Sequence, residues 1–226
     1  MEDSINIEDF DNLDNEENEE TEEVPLTAAE VIELMEEAWR NEKFAPDILP
    51  NKSEVVDCLL GQISYMEENL RNLKTADFQK SIHQLEVDRL RFLVSSYLRQ
   101  RLQKIEAYTF IILRQEEQRL EQNEELYLTN SELEFARSYK ESIEQHFDDI
   151  LSFWPGLPSD EWRNDPVVPN INSFVFLKSK NEIEGVVIDD GTEEEEDLVD
   201  FKTGSQLIIS YNSVANLVRS GEVQLI

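Results

Sequence analysis

The chain predicts a mainly α protein: an α-helical N-terminal domain of about four to five helices, one of them long, then a small β-rich C-terminal domain with one short helix. Three observations carry this expectation. Apolar residues recur at helical spacing from Val31 to Ile150. Four prolines, Pro155, Pro158, Pro166 and Pro169, then rule out a continuous helix. Beyond them the apolar runs are short and are separated by Gly, Asp and a Lys-Thr-Gly break. The expected organisation is a disordered acidic tail over 1–25, a helical assembly domain over 26–153, a Pro-rich linker over 154–170 and the β-rich domain over 171–226.

The first helix starts at Thr27, whose hydroxyl caps it while Glu30 reaches back, with Leu26 and Val31 as a hydrophobic staple. Val31, Leu34, Met35, Ala38 and Trp39 form its apolar face. Pro46 and Pro50 end it. Ser53 is the expected cap of a second helix with Val56, Leu59, Leu60, Ile63, Met66, Leu70 and Leu73 as apolar positions. A third begins near Asp77 and meets no Gly or Pro for about thirty residues. Its apolar residues, from Phe78 to Ile105, fall on two faces, so cover is expected on both. Thr129 and Glu132 repeat the capping box, with Leu128 and Leu133 as the staple, and that helix runs to about Trp154. Strands are expected at Ser173–Leu177, Gly185–Ile188, Leu198–Phe201, Gln206–Tyr211 and Val223–Ile226. A short helix, Asn212–Arg219, ends at Gly221. A β-rich unit of this size is marginal alone and should pack on a neighbour.

The 226 residues hold 20 Lys and Arg against 51 Asp and Glu, a formal charge of −31. The surplus is local. Residues 1–25 carry 12 acids and residues 182–200 carry 10, neither with a base, leaving 29 acids against 20 bases elsewhere. So negative a field disfavours a freestanding nucleic-acid binder. No apolar run approaches a membrane span, and the amino terminus is acidic where a targeting peptide is basic. Cys58, among Val55, Val56, Leu59 and Leu60, reads as a buried small hydrophobe.

Catalytic patterns are missing. None of the six glycines makes a phosphate loop, and His83 and His146 lack partners at metal-ligand spacing. No cofactor or metal is expected. Paired acids such as Glu116-Glu117 carry no weight in so acidic a chain, and Glu193–Glu196 reads as a solvated loop. The one basic concentration runs from Arg71 to Arg119, densest at Arg89, Arg91, Arg99, Arg101 and Lys104. Such a stripe can follow phosphates. The stronger reading pairs these cations with carboxylates across a helix interface.

Asn41–Pro46 (NEKFAP), Met66–Leu70 (MEENL), Ser81–Gln84 (SIHQ), Ser95–Glu106 (SSYLRQRLQKIE), the TGSQLIISY stretch and Gly221–Ile226 (GEVQLI) occur in one order. Together they resemble the Sld-five type of subunit of the eukaryotic GINS complex, over about Leu26–Ile226. The resemblance implies a nuclear, non-catalytic scaffold in a heterotetramer with three other Psf-type subunits. That assembly joins the MCM ring and its Cdc-type partner into the active replicative helicase, in initiation and elongation and in break-induced replication. DNA contact is then indirect or weak, and no membrane is involved. The subunit interface expected on this reading comprises Tyr97, Leu98, Arg99, Arg101, Leu102 and Ile105, with Val223, Leu225 and Ile226. In the tail, Ile7, Phe10 and Leu13 form one short apolar edge. It looks like the helix by which family members dock on the trimeric replisome adaptor that recruits DNA polymerase alpha; a solubilising tail is the competing reading. The rival for the whole chain is a nucleic-acid-binding protein using Arg89–Lys104.

Overall fold

The structure, a computed structural model, describes residues 27–72, 78–154, 166–188 and 197–226. In chain order the elements are α1 (Ala28–Phe44), α2 (Ser53–Asn72), α3 (Phe78–Gln122), α4 (Asn130–Ser152), β1 (Phe174–Ser179), β2 (Ile183–Ile188), β3 (Asp197–Phe201), β4 (Gln206–Ser210), α5 (Tyr211–Ser220) and β5 (Val223–Leu225). The expected fold class holds. Leu26, Leu73, Glu193–Glu196 and the tail edge Ile7, Phe10, Leu13 lie outside the described residues.

Both capping boxes form. Thr27 and Thr129 accept from the backbone of Glu30 and Glu132, whose carboxylates accept from the cap backbone in return. At α2 the expectation shifts: Ser53 is already helical, and its N–H donates to Asn51 Oδ1 at 3.3 Å, so Asn51 supplies the acceptor. Gly221 stands at φ 82°, the left-handed position that suits glycine, and closes α5 with its N–H on Val218 O and that of Glu222 on Leu217 O.

The 45 residues of α3 form the spine. Its first half packs Val87, Leu90, Leu93, Val94 and Tyr97 against Met35, Ala38, Leu59 and Ile63 of α1 and α2. Its second half packs Ile105, Ile112 and Leu113 against Ile48 of the α1–α2 connection, Leu128 of the α3–α4 connection and Ala136 of α4. The change of neighbour coincides with Tyr108, which leaves helical geometry at φ −124°, ψ 28°. There the Thr109 hydroxyl donates to the carbonyls of Ile105 and Glu106, back-bonding that bends helices. Cys58 is exposed, which corrects the expectation of a buried thiol. The buried face of α2 is Val56, Leu59, Ile63 and Leu70, and Cys58 projects to one side of that row.

The small domain pairs β4, β1 and β5 in that order, antiparallel, with β2 and β3 as a separate hairpin. Its core, Leu177, Phe201, Val214, Val223 and Leu225 among others, continues into Ala45 and Leu49 of the α1–α2 connection. The marginal β unit thus gains apolar cover from the helical domain. The final residue is held too: Ile226 N–H donates to Phe176 O at 2.9 Å.

Candidate protein-interaction site

The stretch Tyr97–Ile105 of α3 crosses α1 and α4, and an ionic node fills the crossing. Arg101, with 1% of its side chain exposed, uses all five of its donors. Its Nε and Nη2 grip Glu132 at 2.7 and 3.0 Å in a bidentate pair. Nη1 reaches Glu42 Oε2 at 3.3 Å and Leu49 O at 2.7 Å, and Nη2 also reaches Tyr127 O at 2.7 Å. One guanidinium therefore joins three helices and two connections. Burial disfavours the Arg101 charge, but the Glu132 hydrogen bonds and the Glu42 charge outweigh it and hold the pKa above the ordinary value. Burial pushes Glu132 up, and its hydrogen bonds to Arg101 more than reverse that, leaving it below the ordinary carboxylate range. Burial raises Tyr97 to about 12, so its hydroxyl stays protonated and accepts from Lys52 N–H.

The node continues towards the small domain. Lys104 Nζ donates to Glu42 Oε1 at 2.8 Å and to Asp47 O at 2.7 Å, while burial depresses its pKa. The carboxylate of Asp47 then accepts from Tyr211 Oη and from Arg219 Nη2 of α5. Lys180 pairs with Glu37 at 2.6 Å, and Leu225 N–H donates to Asn41 Oδ1 at 2.8 Å, so α1 covers the outer edge of β5.

Nine residues stand as the expected subunit interface. Tyr97, Arg101, Ile105, Val223 and Leu225 are buried against this chain's own side chains. Leu98, Leu102, Ile226 and Arg99 are exposed. Leu98 and Leu102 border an open cleft of about 520 Å³ with Val56, Asn51 and Ser131. A second apolar surface lies on α3, where Phe78, Ile82, Leu85 and Phe92 fall on one outward stripe. Phe92 meets Trp39 edge-on, with the ring centroids 6.5 Å apart.

The basic stripe is largely occupied. Arg89 pairs with Glu36, Arg91 with Glu67, and Arg101 and Lys104 belong to the node; among the described residues of Arg89–Lys104, Arg99 is exposed and makes no ion pair. Sequence reasoning missed Glu42, Glu132 and Asp47 as the partners. Only the capping box singled out Glu132, and for its bond to Thr129 rather than to Arg101. Among the described residues no group of three or more His, Cys, Asp or Glu is placed to hold a metal ion. Among them, too, no helix is long and apolar enough to cross a membrane.

Residues 51–151 match the GINS complex protein helical bundle domain, and residues 169–226 match the DNA replication complex GINS protein SLD5 C-terminus. The DNA replication complex GINS protein SLD5 of Rattus norvegicus is 42% identical, covering 90% of this chain and 92% of the relative. The chain belongs to the GINS SLD5 family. The Homo sapiens SLD5 protein is 41% identical over 90% of this chain and 92% of its own length. That of Arabidopsis thaliana is 31% identical over 89% and 93%. The boundary between the two SLD5 matches falls in the Pro-rich stretch where helical periodicity ends. This SLD5-family chain is thereby placed among the subunits of a DNA replication complex.

Proposed function

We propose that the chain is a non-catalytic structural subunit of a nuclear, heterotetrameric GINS complex, assembled with three Psf-type subunits. In this role it helps the complex join the MCM ring and its Cdc-type partner into the active replicative helicase. The observation that carries the reading is the outward stripe Phe78, Ile82, Leu85 and Phe92 on a spine whose opposite side is fully used within the chain. Contiguous apolar surface of this kind marks a protein interface. The ionic node fixes α1, α3 and α4 against one another, so the exposed stripe is presented as a rigid face.

Residues 26–153 serve assembly, and residues 171–226 form a module docked on it through Asp47 and Asn41. The tail edge Ile7, Phe10 and Leu13 is assigned to the trimeric adaptor, to be tested by titrating a labelled peptide of residues 1–16 with the trimer. For the assembly itself, the chain is co-expressed with the three Psf-type subunits and the mass of the purified particle is measured. A stoichiometric four-subunit particle is expected, and a monodisperse, cooperatively unfolding monomer that ignores them overturns the proposal.

A further inference from the structure

We propose that the open edge of β4 is a strand-addition site. Its occupant is an extended segment of a partner protein, with alternate apolar residues and an acidic residue at the end beside Lys178. Strand addition here needs only the folded chain, so it stands or falls apart from the assembly reading above.

The register of the sheet defines the edge. β1 and β4 run antiparallel with Phe174 opposite Ser210, Phe176 opposite Ile208 and Lys178 opposite Gln206. Two bonds bracket this ladder: Tyr211 N–H donates to Ser173 O at 2.9 Å, and Ser179 N–H to Ser205 O at 3.0 Å. Bonded and non-bonded rungs alternate in an antiparallel pair. Counting inward from either bracket makes Val175–Ile209 and Leu177–Leu207 the bonded rungs. Phe176–Ile208 and Lys178–Gln206 are therefore non-bonded rungs, and the N–H and C=O groups of Gln206 and Ile208 point away from β1. β4 is the last strand of its sheet, and among the described residues nothing accepts or donates to those groups.

The two edges of this sheet are treated differently. At β5 the chain spends Asn41 to bond Leu225 N–H and lays α1 alongside. At β4 it leaves a run, Gln-Leu-Ile-Ile-Ser, with none of the charges or prolines that normally blunt an edge. Beside the edge lies an apolar shelf: Phe174 is 76% exposed and Ile208 67%, with Phe176 on the same outer face. An added strand puts every second side chain on that face, where apolar residues extend the shelf. Exposed Lys178 and Lys202 set positive charge at the Gln206 end of β4, which selects an acid in the occupant there.

Hydrogen exchange on the full chain tests this with a synthetic peptide of alternating Thr and Val closed by one Asp. In the free chain the Ile208 amide is expected to exchange fast, whereas those of Leu207 and Ile209 are expected to be protected by their bonds to β1. The peptide is expected to slow Ile208 exchange roughly tenfold or more at concentrations up to about 1 mM. The same peptide N-methylated on alternate residues, which removes the donors facing the edge, should give no protection. Ile208→Pro removes an outward N–H without breaking a rung, and with the readout moved to the outward amide of Gln206 it should abolish the peptide's protection there. If that variant does not fold, Ile208→Lys supplies the blocked edge. Unchanged Ile208 exchange, equal protection by the N-methylated peptide, or protection that rises with chain concentration in a dimer without peptide each overturns the proposal.

Discussion

Arg101 and Arg91 lie about three helical turns apart on α3, the first with 1% of its side chain exposed and the second with 52%. Both pair with glutamates of other helices. Arg101 satisfies five donors inside three packed helices, where water cannot compete. Arg91 makes one contact, to Glu67, in solvent. In the first setting losing the partner strands buried charge; in the second, water replaces the partner at almost no cost. Residue type and helical spacing are alike in the two places, so the energetic difference comes entirely from what the rest of the chain packs around each guanidinium.

The sharpest way to break the comparison is Arg101→Ala. It leaves Glu132 short of its bidentate partner, Glu42 with Lys104 alone, and two backbone carbonyls without their donor. The expected loss is about 3–5 kcal/mol, read as a fall in the denaturant midpoint. Arg91→Ala, measured alongside, should shift it by at most about 1 kcal/mol. Equal effects would show that burial does not separate the two.

Acid tests the same node without substitution. The folded pKa of Glu132 lies below its ordinary 4.5, so its carboxylate contributes stability above that value and loses it as pH falls through the folded one. Unfolding midpoints followed downwards from neutral pH should fall more steeply in the wild type than in Glu132→Gln below about 4.5. Parallel curves would place the acid sensitivity elsewhere.

Asp47 sits between the two extremes. Its carboxylate holds the buried Tyr211 hydroxyl and the half-exposed Arg219, and its removal leaves that hydroxyl without an acceptor. Asp47→Ala should cost about 1–3 kcal/mol and speed amide exchange in β5, while α2, which touches neither group, keeps its protection. Faster exchange throughout the chain would mean that Asp47 is part of the core rather than a latch between its two halves.

These contrasts explain what was legible beforehand. Thr27 and Thr129 with their glutamates marked two helix starts, because a capping box lies within four residues of chain. The strands were legible as short apolar runs between Gly, Asp and Lys-Thr-Gly breaks, and in the structure β1 alternates exposed and buried residues along its length. Arg101 could be nominated by type, but Glu42 is 59 residues away and Glu132 is 31, separations at which sequence carries no distance information. Cys58 failed for a related reason: an apolar neighbourhood in sequence spans all sides of a helix, and only one side is covered. The full length of α3 was also hidden. Tyr108 interrupts its periodicity, and beyond it the apolar side turns to a different neighbour.

The smallest expected effect concerns the exposed remainder of the basic stripe. Phosphate binding releases counterions in proportion to the cations that reach the backbone, so a reading stripe must show in the salt dependence of affinity. Arg89 and Arg91 are held by Glu36 and Glu67, and carboxylates beside them offset their field. Among the described residues of Arg89–Lys104, Arg99 is exposed and makes no ion pair, and a single cation supplies a slope of only about one. Charge reversal at Arg101 is unsuitable for testing the stripe, because it would set a third acid against Glu42 and Glu132 in a buried site. Arg99→Glu in the purified chain, titrated with duplex DNA over a series of salt concentrations, should leave weak binding and its slope nearly unchanged. A slope of several units in the wild type that collapses in Arg99→Glu would mean that the stripe does engage phosphates, with Glu36 and Glu67 releasing their arginines on contact.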